Sequence, residues 1–442
     1  MKNLFKKIVV SILTWEARLL LNHHNPKIIT VTGSVGKTST KDAIHTIVAS
    51  KSHTRKSEKS FNSEIGVPLT ILGLKNAWSN PFRWAWNIKL GFWRIFFSKN
   101  YPKILVLEVG ADQKNDIKNI VSWVKPDISV ITALAEVPVH VANFASPEEV
   151  WAEKGRLVEA LGQDGVAILN GDDKRVLEMR NKTKSRIITY GIQDGEESFT
   201  IPDIIATKPE IAYSKEGKIT GTNFKIDYKN EIHKFKIDGA FGEGHVYSLL
   251  AAASVGIALG MQMEEIQKAS ESIVTPPGRM RILKGIKGST VIDDSYNSSP
   301  VAARLALKTL GEIKTTGPEG MSRRIACLGD MRELGEFAIE EHKKIGKLVK
   351  DVADILITVG PLSRFVALGS LENGMDENNI FQFENSREAG KFLQGIIKEG
   401  DIVLAKGSQN TIRMEWLVEE IMAEPERKKE LLVRQDKEWQ NH

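Results

Sequence analysis

Residues Ile28-Ile29-Thr30-Val31-Thr32-Gly33-Ser34-Val35-Gly36-Lys37-Thr38-Ser39-Thr40 set an apolar run against a glycine-bracketed loop and then a helical pattern. The run is too apolar for an exposed strand, so it predicts a buried parallel strand whose carboxyl end turns sharply into a helix. Gly33 and Gly36 let the backbone turn with its N–H groups facing inward. A phosphate chain can rest on those groups and on the positive end of the helix starting near Lys37. Lys37 adds a point charge, and the Thr38 hydroxyl suits Mg2+. The spacing Gly-x-x-Gly-Lys-Thr is two residues shorter than the usual Walker loop, so the flanking strand and the helix face of Ala43, Ile44, Ile47 and Val48 carry the reading. Gly33, Ser34, Val35, Gly36, Lys37, Thr38 and Ser39 are the expected ATP-phosphate contacts.

A chain of 442 residues exceeds one ordinary core and calls for two or three domains. Its 41% hydrophobic and 26% charged residues are those of a globular protein. The single cysteine, Cys327, rules out an internal disulfide and a cysteine zinc cluster, which fits a reducing cytoplasm. A net charge of +5, spread over many residues and without a nucleic-acid motif, argues against a nucleic-acid partner.

Short apolar runs alternate with helical patterns from Ile28 onward. Lys103–Val109, Ile128–Thr132 and Val166–Asn170 read as buried parallel strands, and Pro147–Leu161 as a crossover helix, giving an α/β sheet covered on both faces. From about 192 to 237 the alternation Phe199-Thr200-Ile201 and Phe224-Lys225-Ile226-Asp227-Tyr228 predicts a small antiparallel insertion. A helix over Val246–Leu259 follows, and Thr275-Pro276-Pro277-Gly278 marks a boundary. Beyond it, strands at Thr290–Ile292, Ile325–Leu328, Asp354–Val359, Ile380–Phe383 and Asp401–Ala405 predict a second, Rossmann-like α/β domain. The expected division is a basic amphipathic helix (1–26), a central ATP-binding domain (27–276), a C-terminal domain (277–425) and a charged tail (426–442) read as a solvated helix or frayed end.

Two segments stand apart. Residues 1–21 mix Lys2, Lys6, Lys7 and Arg18 with Phe5, Ile8, Ile12, Leu13 and Trp15. Residues 75–103 hold four tryptophans and several phenylalanines among six lysines and arginines, and no acidic residue lies between Glu64 and Glu108. The longest uncharged run of the first segment, Ile8–Trp15, is far short of a bilayer span, and no signal-peptide cleavage site follows. Such helices suit the anionic inner face of a cell membrane; the alternative is that they pack against each other or against the ATPase core.

Glu108 ends the strand Leu105-Val106-Leu107-Glu108, where open α/β sheets place ligands, and is a candidate for Mg2+. His140 follows the next strand, and Lys154 lies in the helix behind it. Together with Glu64-Ile65-Gly66-Val67-Pro68, Asn170-Gly171-Asp172-Asp173, Gly278-Arg279, Asp293-Asp294-Ser295-Tyr296-Asn297, Leu328-Gly329-Asp330-Met331 with Glu333-Leu334-Gly335, His342 and Lys406-Gly407-Ser408, these motifs resemble the Mur ligase family in order and kind. Within it they are most similar to the branch that adds D-alanyl-D-alanine in peptidoglycan synthesis, over roughly Lys27 to Ile421.

The resemblance implies a ligase in which ATP phosphorylates a carboxylate of a muramoyl peptide and an amine displaces the phosphate. Lys37, Glu108, His140 and Lys154 would be the catalytic set. Two Mg2+ sites would use Thr38 and Glu108, and His140 with Lys154 if the latter is carbamylated. Asn170 and Asp173 would face the adenine, and Arg279, Asp294 and Tyr296 the nucleotide from the other side. Asp330, Glu333, His342, Lys406 and Ser408 would serve the substrate from the C-terminal domain. Muramoyl peptide and D-alanyl-D-alanine are the implied substrates, and Gly278 a plausible pivot for closure.

The sequence also departs from the family pattern. With 32 residues before Gly33, the family's N-terminal UDP-binding domain is expected to be missing. The usual Asn-rich turn reads Lys59-Ser60-Phe61-Asn62-Ser63, and the usual His-Asn-x-x-Asn reads Gly244-His245-Val246-Tyr247-Ser248. Two alternatives stay open: the same chemistry on a different or lipid-linked muramoyl acceptor, and a nucleotide-gated binding protein without turnover.

Overall fold

The computed structural model describes residues 2–58, 61–78, 80–193, 201–215, 217–314, 322–409, 412–436 and 439. Helix α1 (Lys2–His24) leads into β1 (Lys27–Thr32), α2 (Lys37–Ala49), β2 (Thr54–Lys56), α3 (Gly66–Leu72), α4 (Pro81–Phe97) and β3 (Ile104–Glu108). Next come α5 (Asp116–Val121), β4 (Ile128–Ile131), α6 (Pro147–Glu159), β5 (Val166–Asn170), α7 (Lys174–Glu178) and β6 (Arg186–Gln193). Strands β7 (Ile204–Thr207), β8 (Glu210–Tyr213), β9 (Ile219–Tyr228) and β10 (Glu231–Asp238) precede α8 (Glu243–Ala258) and α9 (Met263–Ser270).

These strands form one sheet in the order β10-β9-β7-β6-β5-β4-β1-β3-β2, with β8 on β9. From β2 to β7 all neighbours are parallel. Strands β7 to β10 add the antiparallel character expected after residue 192, as an extension of the main sheet. The Phe199-Thr200 part of that pattern, like Lys59-Ser60, lies outside the described residues. Strand β1 sits between β3 and β4, with Val31 opposite Glu108 and Thr32 opposite Ile131. The chain therefore leaves β1 at a switch point, where a crevice opens at the carboxyl ends.

The two sheet faces bury alternate residues of each strand. On β3, Ile104 and Val106 join the core under α2, α8 and α9, while Leu105 and Leu107 join the core under α1, α3 and α4. Helix α1 contributes Leu13, Ala17 and Leu20 at helical spacing, all fully buried. At about 1.5–3 kcal/mol per leucine, that stripe suffices to hold α1 on the core while its opposite side stays exposed.

The C-terminal domain runs β11 (Arg281–Lys284), β12 (Thr290–Asp294), α10 (Pro300–Glu312), β13 (Arg324–Gly329), α11 (Ala338–Val352), β14 (Ile355–Val359), α12 (Arg364–Glu372), β15 (Ile380–Phe383), α13 (Ser386–Ile396), β16 (Ile402–Lys406), α14 (Glu415–Ile421) and α15 (Lys428–Leu431). Its sheet order is β11-β12-β16-β13-β14-β15, parallel except for β11 with β12. The expected α/β class, with two parallel-dominated sheets, is what the molecule has. The expectation of a solvated end does not hold over Leu431–Val433, whose side chains are buried. Arg434 lies over the Tyr296 ring at 5.4 Å, donates to the Tyr296 carbonyl, and pairs with the buried Glu415 at 3.0 Å. Charge count alone did not reveal these partners. Among the described residues, no helix is long and apolar enough to cross a membrane.

One carboxylate is buried where α1 meets α4. Glu16 is 1% exposed, its Oε2 has no hydrogen-bond partner among the described residues, and a Cβ at Gly91 would lie 2.2 Å from it. Burial pushes its pKa up from 4.5 to about 7, partly offset by a backbone hydrogen bond from Phe92. A raised folded-state pKa means that protonated Glu16 is favoured in the folded chain, so stability is retained below pH 4.5 and lost as pH climbs towards 7. Glu16→Gln should therefore melt higher than the parent at pH 8, by about 1–2 kcal/mol after allowance for screening, and no higher at pH 4.5. Thermal melts at the two pH values check this; an equal offset at both would contradict it.

Candidate active site

Thr32 ends β1, and the chain turns at Gly33 (φ 150°) and Gly36 (φ 83°) before α2 begins at Lys37. Both glycines are needed there: Gly36 is left-handed, and a Cβ on Gly33 would sit 1.9 Å from Thr132 Oγ1. The loop is pinned by Ser34 N donating to Ala133 O (2.6 Å) and by Thr132 Oγ1 donating to Val35 O (2.6 Å). Two ammonium groups meet on the Gly33 carbonyl, Lys37 Nζ at 2.9 Å and Lys154 Nζ at 2.7 Å. Burial lowers the Lys37 pKa, with Glu108 opposing that shift. Burial, reinforced by the nearby Lys37 charge, drives the Lys154 pKa well below the usual lysine value.

Glu108, 1% exposed at the end of β3, accepts from Thr38 Oγ1 (3.0 Å) and from Asn62 Nδ2 (3.4 Å). It also lies 3.6 Å from Lys41 Nζ, which is equally buried. His140, with φ 69°, points Nδ1 at Glu333 Oε2 (2.9 Å) and Nε2 at Asp112 Oδ1 (3.3 Å). The first contact crosses from the central to the C-terminal domain. The His140 hydrogen bond holds the Glu333 carboxyl below its usual range.

A cleft of about 330 Å³ between the domains is lined by residues 34–39, Asn62, Glu108, Asp112, His140, Arg279, Asp294, Tyr296 and Lys406. Arg279 stacks over Tyr296 at 4.0 Å, and its buried Nε, like the buried Ser34 Oγ, has no hydrogen-bond partner among the described residues. Unmet donors beside a glycine loop fit an anion such as a phosphate chain. A second cavity of about 690 Å³ shares Val35, Gly36, Gly244 and Leu305 with the first and holds Asn170, Asp173, Arg175, Tyr190 and Tyr247. Asn170 Oδ1 accepts from Asp172 N, and Asp173 caps α7 while accepting from Leu134 N. The two cavities thus flank the loop on its two sides. A larger cavity, about 950 Å³ along β9, β10 and α9, contains no loop residue.

The remaining C-terminal candidates make hydrogen bonds within the protein. Lys406 Nζ donates to Asp294 Oδ2 (2.6 Å) at the cleft wall. Asp330 accepts from Leu362 and Ser363 N, and His342 Nε2 accepts from Met331 N. Ser408 Oγ accepts from Arg332 N. Asp330, His342 and Ser408 line neither cavity and hold the loops that carry Glu333, Asn297 and Ser298. The sequence reading missed Lys41, Asp112 and Tyr247 as site residues. Lys41 and Asp112 carried a usable signal, each being four residues beyond a chosen residue, Lys37 and Glu108.

Two family profiles match the chain, the Mur ligase middle domain over residues 31–256 and the Mur ligase, glutamate ligase domain over 278–409. Among curated relatives, the UDP-N-acetylmuramoyl-tripeptide–D-alanyl-D-alanine ligase of Bacillus subtilis is 27% identical over 92% of this chain and 79% of that protein. The ligase of the same name from Mycobacterium leprae is 29% identical over 87% and 71%. Of solved structures, the MurF ligase from Thermotoga maritima in complex with ADP superposes with a TM-score of 0.72 at 23% identity, covering 95% of this chain and 84% of that one. A pseudomurein peptide ligase type C from Methanothermus fervidus gives 0.64 at 18%, covering 90% and 79%. These structural likenesses concern the fold. With both profiles spanning most of the sequence, and the loop, carboxylate and lysines in one cleft, the chain belongs to the Mur ligase family.

Proposed function

We propose that the protein is an ATP-dependent amide ligase that joins D-alanyl-D-alanine to the peptide carboxyl end of UDP-N-acetylmuramoyl tripeptide. The observation that carries this is the convergence of Lys37, Thr38, Glu108, His140 and Arg279 on one interdomain cleft. The names of the curated relatives supply the substrate pair.

In the reaction, an oxygen of the acceptor carboxylate attacks the γ-phosphorus and ADP leaves. The dipeptide amine then attacks the acyl carbon, phosphate departs with its bridging oxygen, and the amine proton goes to solvent. Bringing a carboxylate to a triphosphate sets like charges together, so the chain must supply compensating charge. The loop N–H groups and Lys37 hold the β- and γ-phosphates, and Arg279 closes on them from the C-terminal domain. Thr38 Oγ1 and Glu108 Oε2, 3.0 Å apart, would offer hard oxygen donors for one Mg2+. For a second, Glu333 accepting from His140 Nδ1 leaves Nε2 beside Asp112 as the ligand face. Bound Mg2+ would supply charge neutralisation on the phosphates and the carboxylate. Burial and the Lys37 charge lower the Lys154 pKa and so favour the neutral amine, the form that adds carbon dioxide with loss of one proton; its carbamate would be an anion beside the loop.

Purified protein should release phosphate from ATP only when muramoyl tripeptide and D-alanyl-D-alanine are both present; release with neither, or none with both, overturns the assignment. Lys37→Ala should lower kcat by about 100-fold or more, whereas Lys41→Met, which leaves Glu108 without its buried cation, should lose about 3 kcal/mol in a denaturant melt. Glu333→Ala should raise the Mg2+ requirement about 10-fold with a smaller effect on kcat at saturating metal, and Glu333→Gln should restore most of it; equal kcat losses in both variants would refute the orienting role. With 13C-bicarbonate, a carbamate resonance should appear in the parent protein and vanish in Lys154→Arg. Persistence in the variant would place the modification elsewhere.

A further inference from the structure

Every exposed phenylalanine or tryptophan among the described residues belongs to α1, α4 or the turn at Trp78 before α4. On α4 the buried stripe is Trp84, Asn87, Gly91 and Ile95. On the opposite side Phe82, Trp86, Phe92, Trp93, Phe96 and Phe97 face outward, Phe82 being 86% exposed. At 100° per residue these six fall within one arc centred about half a turn from the buried stripe, so α4 presents two apolar faces and the core covers only one. Phe5, Ile8 and Trp15 are likewise exposed on α1, which packs against α4.

Basic side chains dominate around this surface, the exposed acid Glu64 being paired with Lys6. Lys7, Arg18, Arg83, Lys89 and Lys99 are exposed beside it, Lys89 lying 5.7 Å over the Trp86 ring, and the acid of α1, Glu16, is buried. Aromatic rings rimmed by lysine and arginine match the headgroup zone of an anionic bilayer, where the rings sit at the acyl boundary and the cations meet lipid phosphates. The surface also has a fixed relation to the cleft. Helix α1 ends just before β1, and Lys6 near its start pairs with Glu64 at 2.9 Å, two residues beyond the Asn62 that touches Glu108.

We infer that the outer face of α4, continued by α1, docks the protein in-plane on an anionic lipid surface, with the catalytic edge of the sheet beside the membrane. This goes beyond the ligase reading and stands without it.

The test is sedimentation of the full chain with phosphatidylglycerol vesicles and with phosphatidylcholine vesicles. The parent should partition to the anionic vesicles and be released by salt. Trp86→Ser with Trp93→Ser should weaken that partition about 10-fold or more, while phosphate release with soluble substrates stays at the parent level. Arg83→Glu with Lys89→Glu should weaken it without altering the melting temperature. Absence of binding to anionic vesicles, or binding unchanged by either pair, overturns the inference. So does a solution dimer that dissociates on Trp86→Ser with Trp93→Ser, since a second copy would then cover the face.

Discussion

The site depends on one buried carboxylate being ringed by donors and a cation at the edge of the sheet. Glu108 is almost completely removed from water, yet Thr38, Asn62 and Lys41 surround it with donors and a cation. A buried carboxylate without such partners would instead take up a proton. The parallel register of β1 and β3 sets Val31 against Glu108, so the strand pairing itself delivers the carboxylate to the loop. Glycine 33, with no room for a Cβ against Thr132, keeps the loop close enough for Lys37 and Lys154 to reach its carbonyl.

The second domain completes this arrangement from outside. Arg279, immediately after the Gly278 turn, brings a guanidinium over Tyr296, and Glu333 reaches across to His140. Gly278 N is tied to Asp293 Oδ2 at 3.0 Å, which fixes the linker to the first strand pair of the C-terminal sheet. The buried Asp294–Lys406 pair and the Arg434 contacts to Ser295 and Tyr296 stiffen the loop on which the aromatic ring stands. Cleft chemistry and domain docking therefore share the same few side chains.

Much of the fold was legible because buried parallel strands are continuous apolar runs and their limits are sharp. Val166–Asn170 and Ile380–Phe383 coincide with β5 and β15 residue for residue. The phosphate loop was legible for a related reason, since its glycines, lysine and threonine lie within a few positions of each other. The cross-domain pair His140–Glu333 was not, because nothing local in either segment encodes a contact between residues almost two hundred positions apart. The loop-bracing contacts of Asp330, His342 and Ser408 were hidden for a related reason: a polar residue's partners within the fold are not encoded beside it in the sequence. The end of the chain was misread because its charges mask Leu431, Leu432 and Val433, whose burial depends on residues far away in sequence, Leu283 and Val291 in the same core cluster as the leucines and Gly278 beside Val433.

The central claim is that the acceptor's own carboxylate oxygen becomes part of the departing phosphate. The most direct measurement is mass analysis of inorganic phosphate after turnover with a muramoyl tripeptide labelled with 18O in its terminal carboxyl group. The account predicts one 18O atom in each phosphate released with amide formation. Phosphate carrying only oxygen from ATP and water, while amide product accumulates, would contradict it.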